Sequence, residues 1–113
     1  MEFTGRWRIV SSPDFDAAYL AEETEPYVQL WQEGNSVTGE YHVGYQSGSL
    51  DGKLRKDQPV VFSFEGMDEM EEVHGRGTAA LAGDTLTLVL EYHFGDTYTF
   101  AGVRESAEAE RTG

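Results

Sequence analysis

The sequence predicts an all-β fold: about eight antiparallel strands closed into an up-and-down barrel, with one short helix after strand 1. Three observations carry that expectation. Apolar and polar residues alternate along nearly the whole chain, glycine and aspartate punctuate it at short intervals, and only one segment has a helical pattern. A chain of 113 residues hides about two thirds of its unfolded surface on folding, enough for one core without a metal or disulfide staple. A sheet of this size protects its edges best by closing, and an eight-stranded closure has room for packed side chains or one small ligand. An open half-barrel or sandwich is the competing architecture.

The first strand is "FTGRWRIV", with Phe3, Gly5, Trp7 and Ile9 on one face and Thr4, Arg6 and Arg8 on the other. "SSPDFDAAYLAEETEP" follows as a helix over 13–24, capped by Ser12, started by Pro13 and striped by Phe15, Tyr19 and Leu20. Pro26 ends it. "YVQLWQ" turns at "EGN" into "SVTGEYHVGYQ", which sets Val37, Gly39, Tyr41, Val43 and Tyr45 on one side. After "SGS", Leu50, Gly52 and Leu54 share a face, and "KDQP" breaks the chain before Val60, Phe62 and Phe64. Beyond the acidic stretch 65–72, read as a charged loop, one strand aligns Val73, Gly75, Gly77, Ala79 and Leu81. The last two strands stack Leu86, Leu88, Leu90, Tyr92 and Phe94, then Tyr98, Phe100, Gly102 and Arg104. Residues 1–104 form a single domain on this reading, and 105–113, without a large apolar residue, a flexible acidic tail.

Charge and composition exclude several function classes. Net charge is −13, from 21 acidic and 8 basic side chains, the wrong sign for nucleic acid or an anionic membrane. With no cysteine there is no disulfide framework, thiolate nucleophile or cysteine-based zinc site. No apolar run is long enough to span a bilayer and no leader pattern opens the chain, so the expected location is the cytoplasm.

Gly5-Arg6-Trp7 on the first strand and Arg104 on the last resemble the lipocalin, or calycin, arrangement. That resemblance implies that Trp7 plugs the barrel base and Arg104 packs across its ring, as a structural barrel-closing pair. Over about Thr4 to Arg104 the chain also resembles a group of small bacterial proteins without an assigned activity. The segments that carry this likeness are "GRWRI", "DFDAAYL", "PYVQL", "FSFEGMDEMEEVHGRGTA" and "YHFGDTYTF". The chain departs from lipocalins in lacking cysteines and a secretion signal, which argues against an extracellular carrier.

The chemistry-bearing residues give no catalytic constellation. The acidic stretch has no EF-hand register, because Met67 and Met70 interrupt its carboxylates and Gly66 comes too early. His42, His74 and His93 share the polar parity of their strands; His74 and His93 would meet across a strand pair, but zinc needs a third ligand such as Glu91 or Glu65. Glu65, Arg76 and Glu91 read instead as an exposed ion-pair ladder. Neither a G-x-S-x-G elbow nor a phosphate loop occurs. No catalytic residue, metal or cofactor is assigned.

The inward face is the informative one. Its aromatics cover six glycines, Gly5, Gly39, Gly52, Gly75, Gly77 and Gly102, which either kink a filled barrel or leave a cavity beside Ala79. The leading function is a non-enzymatic small-molecule-binding barrel, with an apolar or planar ligand held by Tyr41, Tyr45, Phe62, Tyr92 and Tyr98. The alternative is a protein-interaction module that meets a basic partner through helix 13–24 and the acidic 65–72 segment. A hydrolase or isomerase acting in the barrel mouth is a third reading, with no residue that identifies its reaction.

Overall fold

The computed structural model describes residues 2–56 and 59–105; the 105–113 tail, from 106 onward, lies outside the described residues. Eight strands follow in order: β1 (Gly5–Ser11), β2 (Tyr27–Glu33), β3 (Ser36–Val43), β4 (Gln46–Lys53), β5 (Val60–Asp68), β6 (Glu71–Ala82), β7 (Thr85–Tyr92) and β8 (Thr97–Arg104). One helix, α1 (Ala17–Leu20), joins β1 to β2. Each strand pairs antiparallel with the next, and β8 pairs back onto β1, so the sheet is a closed up-and-down barrel, compatible with a calycin-like fold. Closure removes the open edges that invite aggregation.

Alternation explains which residues fill the barrel. Trp7, Ile9, Val28, Leu30, Val37, Tyr41, Leu50, Phe62, Phe64, Leu88, Leu90 and Phe100 are buried at inward positions of seven strands, while their neighbours in sequence are more exposed. The inward glycines do not open a central void. A Cβ on Gly77 would sit 2.7 Å from Cζ of Phe62 and collide with the Val89 carbonyl oxygen. The Phe62 ring therefore occupies the space a side chain there would need. The barrel middle is filled.

The base is closed by interlocking groups. Arg104 lies opposite Trp7 across the β1–β8 seam, its guanidinium carbon 4.2 Å from the centre of the Trp7 ring. Its two terminal nitrogens donate to the carbonyls of Thr4 and Glu2 at 2.6 and 2.8 Å. The Trp7 indole N–H donates to the Phe3 carbonyl at 3.0 Å, and Phe3 is itself buried. Guanidinium stacking on indole contributes about 0.5–2 kcal/mol as it becomes desolvated.

Several expectations need correction. The helix is Ala17–Leu20, not 13–24, and Asp16 caps it by accepting from the Tyr19 N–H at 2.8 Å. Ser12 is used elsewhere: its hydroxyl donates to the Thr99 carbonyl, while Asp14 accepts from the Thr99 N–H at 2.8 Å. These bonds staple 12–14 to β8, and the exposed Ala21–Glu25 has no apolar stripe to hold further turns on the barrel. Strand β3 ends at Val43, the turn is Gly44–Tyr45, and "SGS" belongs to β4. Partners on both sides impose strand on that poorly strand-forming segment; Leu54 falls just beyond it.

The acidic stretch is mostly strand: Glu65–Asp68 continues β5, Glu71 and Glu72 open β6, and only Glu69 and Met70 turn. Phe94 is not inward but 98 % exposed, at φ +57° in the β7–β8 turn. Tyr92, the last residue of β7, donates its N–H to the Asp96 carbonyl and closes that turn there, before Phe94 could continue the alternation.

A candidate ligand site at the barrel mouth

One end of the barrel carries the α1 connection and the turns β3–β4, β5–β6 and β7–β8. At this mouth Leu20 of α1 is buried, and its carbonyl accepts from the Gly44 N–H at 2.9 Å. Gly44 is required there. Its φ is +59°, and a Cβ would stand 2.6 Å from the Tyr19 ring. The helix is thereby pinned across part of the opening, with Phe15 and Tyr19 half-buried above the core.

Between α1 and the mouth ends of the strands lies a cavity of about 310 Å³. Phe15, Tyr19, Tyr92 and Tyr98 give it aromatic lining, and Leu20, Val43, Val73 and Phe100 give it aliphatic and deeper aromatic lining. The rings hold one another in place. Phe15 lies 5.1 Å from Tyr19 and 4.7 Å from Tyr98, centre to centre, and Tyr92 meets Tyr98 edge-on at 5.5 Å. Such offset and edge contacts contribute about 0.5–1.5 kcal/mol each beyond burial. The polar lining is Gln46, Asp68, Glu71 and Asp96.

Among the described residues, Gln46 is the one buried polar side chain, 6 % exposed. Its amide oxygen accepts from the Tyr41 hydroxyl at 2.5 Å, and its amide nitrogen donates to the Tyr92 hydroxyl. In this arrangement Tyr92 accepts inside the barrel and keeps its own O–H to donate. Burial, reinforced by nearby Tyr92 and Asp68, pushes the Tyr41 hydroxyl far above the ordinary tyrosine range. Burial also lifts Tyr92, to about 12, against the opposing pull of its bond from Gln46. Tyr19 and Tyr98 are raised by burial, and Tyr45 by the carboxylate of Glu22. All are neutral phenols at neutral pH.

The structure separates the five residues expected to hold a ligand. Tyr92 and Tyr98 line the cavity. Tyr41 is buried one step behind it, joined through Gln46. Phe62 lies in the filled middle against Gly77, and Tyr45 sits on the rim, its hydroxyl 3.3 Å from Glu22. Sequence reasoning missed Gln46, Asp68, Phe15 and Tyr19 as cavity residues. A signal for the first two existed: a two-residue turn at Gly44–Tyr45 puts Gln46 opposite Val43, and the same inward parity reaches Asp68 through Phe62 and Phe64.

Elsewhere the side chains form surface pairs. His74 and His93 stack at 4.9 Å, Arg76 meets Glu91 at 2.9 Å and His42 meets Glu23 at 3.0 Å. Among the described residues no group of three or more His, Asp or Glu is placed to hold a metal ion, and no helix is long and apolar enough to cross a membrane. Two depressions of about 520 Å³, one near Ser49 and Met67 and one near Arg76 and Phe94, are flatter than the mouth cavity.

No protein-family model matches the chain, and no curated protein is similar to it.

Proposed function

We propose that the protein is a small-molecule-binding barrel of lipocalin-like design that takes its ligand at the mouth rather than in the barrel centre. The observation that carries this reading is the one-sided cavity: about 310 Å³, the lower end of the range for small-ligand pockets, with aromatic rings around a hydrogen-bonded polar core. A planar or apolar body stacks among Phe15, Tyr19, Tyr92 and Tyr98, and the Tyr92 O–H orients an acceptor on it. No reaction is part of this reading. The basic-partner alternative has less to stand on, because the acidic segment alternates its side chains between the two faces of β5 and β6 instead of presenting one surface, and α1 has only four residues.

Thermal unfolding and native mass spectrometry against a panel of metabolites and neutral hydrophobic probes test it. A ligand at 100 times its Kd should add about 2.7 kcal/mol of stability, with one molecule bound per chain. Tyr98→Ala should abolish the shift, since it removes a wall without touching the base. Absence of any shift or bound mass across the panel would refute the proposal.

A further inference from the structure

The mouth cavity combines π faces with carboxylates and no basic group. Phe15, Tyr19, Tyr92 and Tyr98 surround it, and Asp68, Glu71 and Asp96 share its lining. The ion pairs among the described residues join Arg6 to Glu105, His42 to Glu23 and Arg76 to Glu91, so none neutralises these three acids. Asp68 occupies an inward register position beside Gln46, at the last pair of β4 and β5. Its field already reaches the site, where it opposes ionisation of Tyr19, Tyr41 and Tyr92.

We infer that the cavity selects an organic cation: an alkylammonium or quaternary ammonium group carried on a planar or apolar body. This rests on the small-molecule reading above and names its ligand class. The electron-rich ring faces attract a cation placed within about 6 Å of their centres, most strongly when it is desolvated. The Tyr98 hydroxyl donates its proton to Asp96, which leaves its oxygen lone pairs to face a cation, and the acids supply the countercharge. An anion meets the opposite on every count: negative rim, ring faces of the wrong sign, and a chain of net charge −13 whose field lowers its local concentration. The body of the ligand matters too, because the aliphatic lining from Leu20, Val43 and Val73 rewards apolar area and leaves a bare inorganic cation its hydration shell.

The test uses three probes with one planar body: 2-naphthylmethyl-trimethylammonium, 2-naphthylmethanol and 2-naphthoate, titrated by calorimetry at low and at physiological salt. The cation should bind about tenfold tighter than the alcohol, with the naphthoate weakest and the cation's advantage shrinking as salt rises. Asp68→Asn should weaken the cation far more than the alcohol and so erase most of that advantage, and Asp96→Asn should do so in part. Glu33→Gln and Glu40→Gln, both exposed on the outside of the barrel, should change nothing. Equal binding of all three probes, or a preference for the naphthoate, would overturn the inference and leave the small-molecule barrel standing. Loss of the cation's advantage in the outer variants to the same degree as in Asp68→Asn would also overturn it, as the mark of surface attraction alone. Binding of none of the three would also overturn the inference, while the small-molecule reading stands or falls on the wider panel.

Discussion

The two ends of the barrel are built from the same alternating strands and finished in opposite ways. At the base, Trp7 and Phe3 are fully buried, and the Arg104 guanidinium is consumed by a ring and two backbone carbonyls. Among the described residues there, these groups are already spent on one another. At the mouth the aromatics are half-buried, a phenolic O–H and three carboxylates face a cavity, and two non-glycine residues, Glu69 and Phe94, hold φ near +57°. Strain of this kind costs about 1–3 kcal/mol per residue. The difference teaches that tight packing is unevenly divided along the barrel axis: the described base interlocks, and the mouth is left underfilled.

Substitutions at each end should break that division in different ways. The largest effect belongs to Trp7→Ala, which should cost about 3–5 kcal/mol by chemical denaturation, since a large buried ring is lost; a wild-type midpoint would mean that the base does not hold the barrel. Gln46→Leu comes next. It strands the buried Tyr41 hydroxyl and should cost about 1–3 kcal/mol, while the matched Tyr92→Phe should cost less because Tyr92 reaches the cavity. Equal losses from the two would show that the mouth is as dry as the core. Glu69→Gly should act in the opposite direction and stabilise by about 0.5–1 kcal/mol, by freeing the β5–β6 turn from a left-handed backbone.

Alkaline titration sharpens the same contrast. Tyr92 is raised to about 12 in the folded chain, above the ordinary value near 10. Between those two values the unfolded chain has released a proton that the folded chain retains, so stability is fully present below about pH 10 and falls as pH rises through the folded value. Tyr92→Phe should lessen that fall in pH-dependent melting, whereas an unchanged alkaline profile would place its hydroxyl in free solvent.

Most of the fold was legible because alternation is a local signal. Residues such as Phe62, Phe64, Leu88, Leu90 and Phe100 announce their face from their own strands, and eight such strands with tight joints leave closure as the economical topology. The helix was misread because its cap depends on β8: Ser12 has a helix-capping sequence context but is drawn to Thr99, distant in sequence. The cavity was only half legible for a related reason. Glycines on an inward face say nothing of which neighbour fills the space, and at Gly77 the answer is Phe62 from another strand. Phe15 and Tyr19 were visible as an apolar stripe, yet only the crossing of α1 over the mouth turns that stripe into a wall.

The β1–β8 seam also decides where the chain can be handled. Glu2 and Glu105 both lie at the base, where the Glu105 N–H donates to the Arg6 carbonyl at 3.0 Å, on the side of the barrel away from the cavity. An affinity tag or surface tether at either place leaves the opening facing outward. Joining the two by a short linker and opening the Gly34–Asn35 turn, which is also at the base, gives a rearranged chain order that preserves every strand pair. In engineering terms the molecule is a cup with its handle already at the bottom.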